Sequence, residues 1–241
     1  MRASSDKFKE PSVSTATTQK QNIQRAARRM RWDFSATPAI NIFDDAELTA
    51  FMLAVSYFVV AFEDVGIPIV RNALTQLKDH PELEREAKAF VSQEALHSQA
   101  HALYNAEIKN RHRFDVTNVE RECQRMIDAV NKQDAQWQLA AIAGLEHAIF
   151  CVADWYEHAE SLHPKVAPDF HRLLLWHAME ETEHTAVVHD MYGCIYGSSA
   201  AAYANRITAM TSGIRLTTRT LIRLWREFIP QVAQRMNKSP N

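Results

Sequence analysis

Glycine is scarce, with five residues in 241, and proline adds only eight. A many-stranded sandwich or barrel needs more of both at its turns, so an all-β architecture is excluded. The three cysteines, Cys123, Cys151 and Cys194, are far apart and form no C-x-x-C pair, which excludes a disulfide framework and fits a reducing compartment. The polar start, MRASSDKFKEPSVSTATTQKQ, lacks the apolar segment of a secretory signal, so a cytoplasmic address is expected. Long apolar runs are missing too. The longest, Phe51 to Phe62, has twelve residues, short of the roughly 20 that a membrane-spanning helix needs.

What remains is helix-forming material. Ala, Leu, Glu, Gln and Arg are plentiful, and 46% hydrophobic content is enough for one sizeable core. Residues 1–20 offer little apolar surface to offset ordering and are expected to be a disordered leader, with residues 21–241 forming a single helical metal-binding domain. The basic stretch RAARRMRWDF, with Arg25, Arg28, Arg29 and Arg31, predicts a short amphipathic N-terminal helix with a solvated or salt-bridged face. No aromatic residues are interleaved there as a base-stacking platform, so specific nucleic-acid binding is not expected.

The first long helix should run from about Asp45 to Glu63 or a little beyond, ended or bent by Gly66 and Pro68, with a bent continuation through IVRNALTQL. Pro81, with Glu82 and Glu84 behind it, opens a second helix reaching about Ile108. Thr117 and Glu120 read as a capping box for a connector helix to about Val130. A third long helix starts near Asp134 and runs to about Glu160, and a fourth starts near Pro168 and runs to about Gly197. The last helical region, about Ala200 to Arg235, has Arg206, Arg215, Arg219, Arg223, Arg226 and Arg235, with Lys238 just beyond, against the single acid Glu227. Its Leu, Ile, Trp and Phe residues suit packing on the bundle or on a second copy, and contact with a membrane is the alternative.

Apolar helices here repeatedly interrupt themselves with metal-competent side chains. Glu63 does so in the first, Glu94 and His97 in the second, Glu146 in the third, and His177, Glu181 and His184 in the fourth. Spacings of three and four residues put each set on one helical face. Buried carboxylates without partners cost several kcal/mol each, and cations turn that cost into coordination. Two lone Glu residues and two Glu-x-x-His pairs are the arithmetic of a dinuclear site inside a four-helix bundle. Carboxylate and imidazole donors suit iron first, manganese next and zinc less. His177 is either a third imidazole ligand or a donor to a ligating carboxylate. His101 and Tyr104 lie on the same stripe as His97 and are expected to support the ligands from one layer out. Glu180 and Glu183 should point off the face into solvent, and His147, Asp154, His158, His189 and Asp190 read as ordinary polar residues.

The stretches FEDVGIPIVRNAL, AKAFVSQEALHSQAH, GLEHAIFCVADWYEH and WHAMEETEHTAVVHDMY make the chain resemble the ferritin-like superfamily. Within it, they resemble a bacterial family labelled predicted metal-dependent hydrolases. The ligand spacing is also similar to that of di-iron N-oxygenases acting on arylamines such as p-aminobenzoate. That resemblance implies an all-α fold, a ferritin-like four-helix core with added N-terminal and C-terminal helices. It implies seven ligands, Glu63, Glu94, His97, Glu146, His177, Glu181 and His184, around two iron ions. Dioxygen, a small organic substrate and an external electron donor would be the partners, and a homo-oligomer such as a dimer is expected. The chain is shorter than those oxygenases, and Gly66 with Pro68 follows the first ligand closely. Metal-dependent hydrolysis and iron handling without an organic substrate are the competing functions.

Overall fold

A computed structural model of the chain describes residues 27–42, 45–182 and 186–237. The expected leader, residues 1–20, lies outside them, as do Arg25 and Lys238. Seven α-helices build the described part: α1 (Ala46–Ala73), α2 (Pro81–Asn110), α3 (Thr117–Asn131), α4 (Ala135–Glu157), α5 (Pro168–Glu181), α6 (Val187–Tyr196) and α7 (Ala200–Met236). No strand occurs among the described residues, where a single bridge joins Ile42 to Val166. The protein is an all-α helical bundle.

Local chemistry sets the helix starts. The Asp45 carboxylate accepts the Leu48 amide at 2.8 Å to open α1, and the Asp134 carboxylate does the same for Trp137 at the start of α4. Pro81 is the first residue of α2, where its missing N–H costs nothing, with Glu82 and Glu84 in the first turn. At α3 the expected capping box is absent. Thr117 is already helical, and the Asp115 carboxylate takes its amide at 3.0 Å.

Of three other expectations, one is decided between its alternatives and two need correction. First, α1 does not stop at Gly66; the continuation expected beyond it holds, through Pro68 to Ala73. The face it would lose by stopping includes Ile69, Val70 and Ala73, all buried in the core, and that packing outweighs one missing backbone bond.

Second, the fourth helix is two. Its first part ends at Glu181, where the Thr182 hydroxyl donates to the Met179 carbonyl at 2.8 Å and the Thr182 amide is shared between Ala178 and Glu180.

Third, residues 27–34 are not helical. Trp32 and Phe34 turn inward while Arg31, Asp33 and Ser35 stay exposed, a two-residue alternation that suits extended chain. This N-terminal strap, residues 27–42, is pinned to the bundle. The Trp32 ring packs on Trp176 and under the Arg172 guanidinium. Arg111 and His112 hold the Thr37 carbonyl. Asn41 donates to the Tyr104 hydroxyl at 2.8 Å.

The C-terminal helix behaves as its pattern requires. Ala202, Ala209, Gly213, Thr220, Leu224, Phe228 and Val232 are buried, and their steps of four and seven residues mark one face. That face packs on α1, α4 and α3. Its approach to α4 is close at Gly144, where a Cβ would lie 2.5 Å from Met210 Cγ, 2.7 Å from its Cβ and 3.3 Å from its Cα.

Although no apolar run reaches membrane-spanning length, Ala46–Gln76 and Ala135–Glu157 are long and apolar enough to cross a membrane by length and composition. In the fold both are walls of the bundle, and each buries an acid, Glu63 and Glu146, on its inner side.

Gly144→Ala is expected to lower stability by about 1–3 kcal/mol, because Met210 Cβ and backbone must move to admit the methyl. Gly193→Ala has open space and should instead gain up to about 1 kcal/mol from helix propensity. Denaturant unfolding of the two variants checks both signs.

Candidate metal centre

Four helices each send acid into one interior volume. Glu63 comes from α1, Glu94 and His97 from α2, Glu146 from α4, and His177 and Glu181 from α5, all buried. Ligand-competent atoms of Glu63, Glu94, His97 and His177 lie within 4.8 Å of one another. Glu146 and Glu181 belong to the same charge cluster. Burial pushes the Glu63 carboxyl well above its ordinary value, and repulsion from Glu94, Glu146 and Glu181 adds to it. Burial likewise raises Glu146, with Glu181 and Glu94 adding repulsion. Six of the seven expected ligands are thus gathered. His184 and Glu183 lie outside the described residues.

The imidazoles respond in opposite directions. Burial alone would lower His97, but the Glu94 charge, a hydrogen bond with Glu180 and further attraction from Glu94 and Glu181 hold it up at about 10. His177 is pushed down by burial and by His97, with Glu181 in partial opposition. His97 Nδ1 lies 2.9 Å from Glu94 Oε2 and 3.5 Å from Glu181 Oε1, and His177 Nε2 lies 2.9 Å from Glu181 Oε1.

Glu180 overturns its expected place in solvent. Its side chain is sealed, with Oε2 3.1 Å from His97 Nε2. Its Oε1 accepts from the Arg28 amide and the Trp176 indole, each at 3.2 Å, and from Arg28 Nη1 at 3.4 Å. A carboxylate behind one imidazole nitrogen fixes the ring and leaves the other nitrogen for the centre. Spacing hid this because Glu180 and Glu181 are neighbours on a helix, about 100° apart. The one available signal was Trp176, whose indole N–H sits four residues before Glu180 and needs an acceptor when buried.

His101 and Tyr104 separate in the structure. His101 Nε2 is 3.0 Å from His177 Nδ1, so it does back a cluster residue. Tyr104 stacks on Phe170 at 4.5 Å and accepts from Asn41, so it anchors the strap. The peripheral polar residues lie where expected: His147 is exposed, and His158 with Asp154 and His189 with Asp190 are surface pairs. A groove of about 370 Å³ between α1, α2 and α3 is lined by Asp64, Asn105, Lys109 and Cys123, and none of the cluster acids reaches it.

The residues fit cations. Protons alone leave Glu146 Oε2 buried with no hydrogen-bond partner among the described residues, a state that normally costs about 1–3 kcal/mol or more. Hard oxygen donors with imidazoles, drawn from four elements around one centre, satisfy the same acids once positive ions share the space.

An all-helical bundle with a buried carboxylate and histidine cluster defines the class. The chain belongs to the family described as predicted metal-dependent hydrolase, whose profile matches residues 26–240. No curated protein and no solved structure gives a significant match.

The raised carboxyls give the metal-free protein a definite pH response. Protons on Glu63 and Glu146 contribute stability that is complete below the ordinary value of 4.5 and is lost as pH rises toward the raised folded values. His97 acts with the same sign, its contribution being present below 6.5 and lost through about 10. The depressed His101 and His177 act oppositely, gaining stability as pH rises toward 6.5, so in chelator the melting temperature should fall above that value, between about pH 7 and 8.5, while stabilisation by added Mn(II) should grow, since binding needs the ionised acids. Glu146→Gln should flatten the fall and weaken Mn(II) binding about tenfold or more. A metal-free melting temperature that rises across this window would count against the cluster as described.

Proposed function

We propose that this chain is a dinuclear metal enzyme whose natural ions are iron and which oxidises a small organic substrate with dioxygen. The observation that carries the reading is the gathering of Glu63, Glu94, Glu146 and Glu181 with His97 and His177 in one buried volume. Six donors on four helices are enough for two ions, and His184 would make the seventh. Similarity of the ligand spacing to di-iron arylamine oxygenases supports iron and oxygen chemistry, and so does the sealed setting, which suits a reaction that must keep bulk water away.

Bound there, an iron pair supplies oxygen activation, whereas a pair of redox-inert ions supplies water activation. The protein's own part is positional. Glu63, Glu94, Glu146 and Glu181 would hold the ions and offset their charge. Glu180 orients His97, and Trp176 packs edge-on against the same ring at 4.9 Å, keeping water off it. Arg28, half exposed on the strap, ties Glu180 to the surface. An external electron donor and a homo-oligomeric assembly belong to the same proposal. A cytoplasmic setting is consistent with Cys123, Cys151 and Cys194, all free thiols.

The second reading is metal-dependent hydrolysis, and the family description favours it. One experiment separates the two. Anaerobic protein is loaded with Fe(II) to two ions per chain and exposed to oxygen. Parallel Mn(II) and Zn(II) forms are offered ester, amide and phosphoester panels under argon. Oxidation predicts stoichiometric oxygen uptake with loss of the ferrous Mössbauer signal, and no turnover in the panels. Turnover by the redox-inert forms, with iron that stays ferrous in oxygen, would establish the hydrolase.

A further inference from the structure

His177 is the end of a buried chain of polar groups that the metal cluster alone does not require. Ser56 on α1, and Asn105 and His101 on α2, are all buried between the two helices. Asn105 Nδ2 donates to the Ser56 carbonyl at 3.1 Å. A carbonyl can only accept, so the amide orientation is settled and Asn105 Oδ1 faces Ser56 Oγ at 2.7 Å. Ser56 Oγ also meets His101 Nδ1 at 2.9 Å, and His101 Nε2 meets His177 Nδ1 at 3.0 Å. At the far end His177 Nε2 lies 2.9 Å from Glu181 Oε1.

We propose that Asn105, Ser56 and His101 are positioning residues that fix His177 as the Nδ1–H tautomer, so that its Nε2 meets the carboxylate cluster as a bare lone pair. The inference rests on the metal reading for its purpose, though not for its geometry.

Counting protons gives the direction of each bond. Asn105 Oδ1 carries none, so the single Ser56 hydroxyl proton goes to it. The contact between Ser56 Oγ and His101 must then be filled by a proton on His101 Nδ1. In these contacts His101 faces a hydroxyl and another imidazole, with no carboxylate on either nitrogen, so it stays neutral with one ring proton, and its Nε2 is bare. His177 Nδ1 must donate to it. The opposite sequence would set the lone pairs of Ser56 Oγ and Asn105 Oδ1 against each other at 2.7 Å.

The chain is an orienting device rather than a proton path, because a primary amide at its outer end accepts a proton poorly and passes none on. A bare Nε2 then faces a carboxylate oxygen at hydrogen-bond distance. Two acceptors at that range need a positive centre between them, a proton without metal and a cation with it, which is the use of a histidine ligand whose remote nitrogen is already engaged.

The test reads tautomers directly. Protein labelled with 15N at histidine is examined by long-range 1H–15N correlation, metal-free and with Zn(II) as a diamagnetic probe, alongside Ser56→Ala, Ser56→Thr and His101→Phe. Wild-type His177 is expected to show a protonated Nδ1 and a bare Nε2 in both states. Ser56→Ala and His101→Phe should mix the two tautomers and weaken Zn(II) binding roughly 10- to 100-fold, and Ser56→Thr, which keeps the hydroxyl, should restore both. A wild-type His177 protonated at Nε2, or a folded Ser56→Ala variant with unchanged tautomer and affinity, overturns the proposal. The wild-type spectrum decides even where a variant does not fold. If the tautomer is as proposed and no form binds Zn(II), the relay stands and the metal reading fails instead.

Discussion

Gathering four glutamates at one centre inside an apolar bundle, with a fifth, Glu180, sealed beside them, is the constraint on which the rest of this structure turns. Removing a carboxylate from water costs several kcal/mol unless positive charge or hydrogen bonds replace the lost solvation. Here the acids also repel each other, and the metal-free protein meets both penalties by holding protons on Glu63 and Glu146 at pH values where exposed carboxyls would have lost them. A fold that carries such a burden needs a large apolar surplus elsewhere. The core supplies it through the aromatic and aliphatic faces of α1, α2, α4 and α7, with Leu53, Val70, Ile108, Ile142 and Phe228 almost fully enclosed.

Distribution over four helices makes this burden serve a purpose. Had the acids stood on one helix, unwinding that helix would expose them all at little cost. Spread over α1, α2, α4 and α5, they can only be separated by opening the whole bundle, so geometry at the centre is enforced by packing far from it. The close approach at Gly144 belongs to this scheme. It stands two residues before Glu146 and lets α7 lie against α4, so the outer helix braces the wall that carries an inner acid. The strap acts similarly at the other side, where Arg28 reaches Glu180 and Trp32 packs on Trp176.

Much of this was legible in the sequence because helical periodicity is a local rule. Three- and four-residue spacings on apolar helices identified Glu63, Glu94, His97, Glu146, His177 and Glu181 as one set, and the structure brings those six together. The long helices were readable from caps such as Asp45 and Asp134, and from Pro81. What escaped was decided by tertiary context. Glu180 looks like a solvated neighbour of Glu181 until the strap and Trp176 are folded over it. The segment around Arg28 reads as a basic helix in isolation, but its inward residues alternate by two once they meet the bundle. The break after Glu181 falls inside a run whose composition reads as one continuous helix.

The two described histidines of the cluster are supported in different ways, and this asymmetry bears on what the centre can do. His97 has an anion behind it, Glu180, whose own carboxyl must overcome burial and is held below its ordinary value by His97 and Arg28. Among the described residues, the groups behind His177 are neutral: His101, Ser56 and Asn105. An imidazole backed by a carboxylate is the stronger electron donor, and one backed by a neutral acceptor is weaker. Two cation positions built from otherwise similar donors would therefore differ in charge density and in the ease with which each gives up an electron or polarises a bound group. For the enzyme proposed above, that inequality would let a substrate be directed to one of two ions rather than the other.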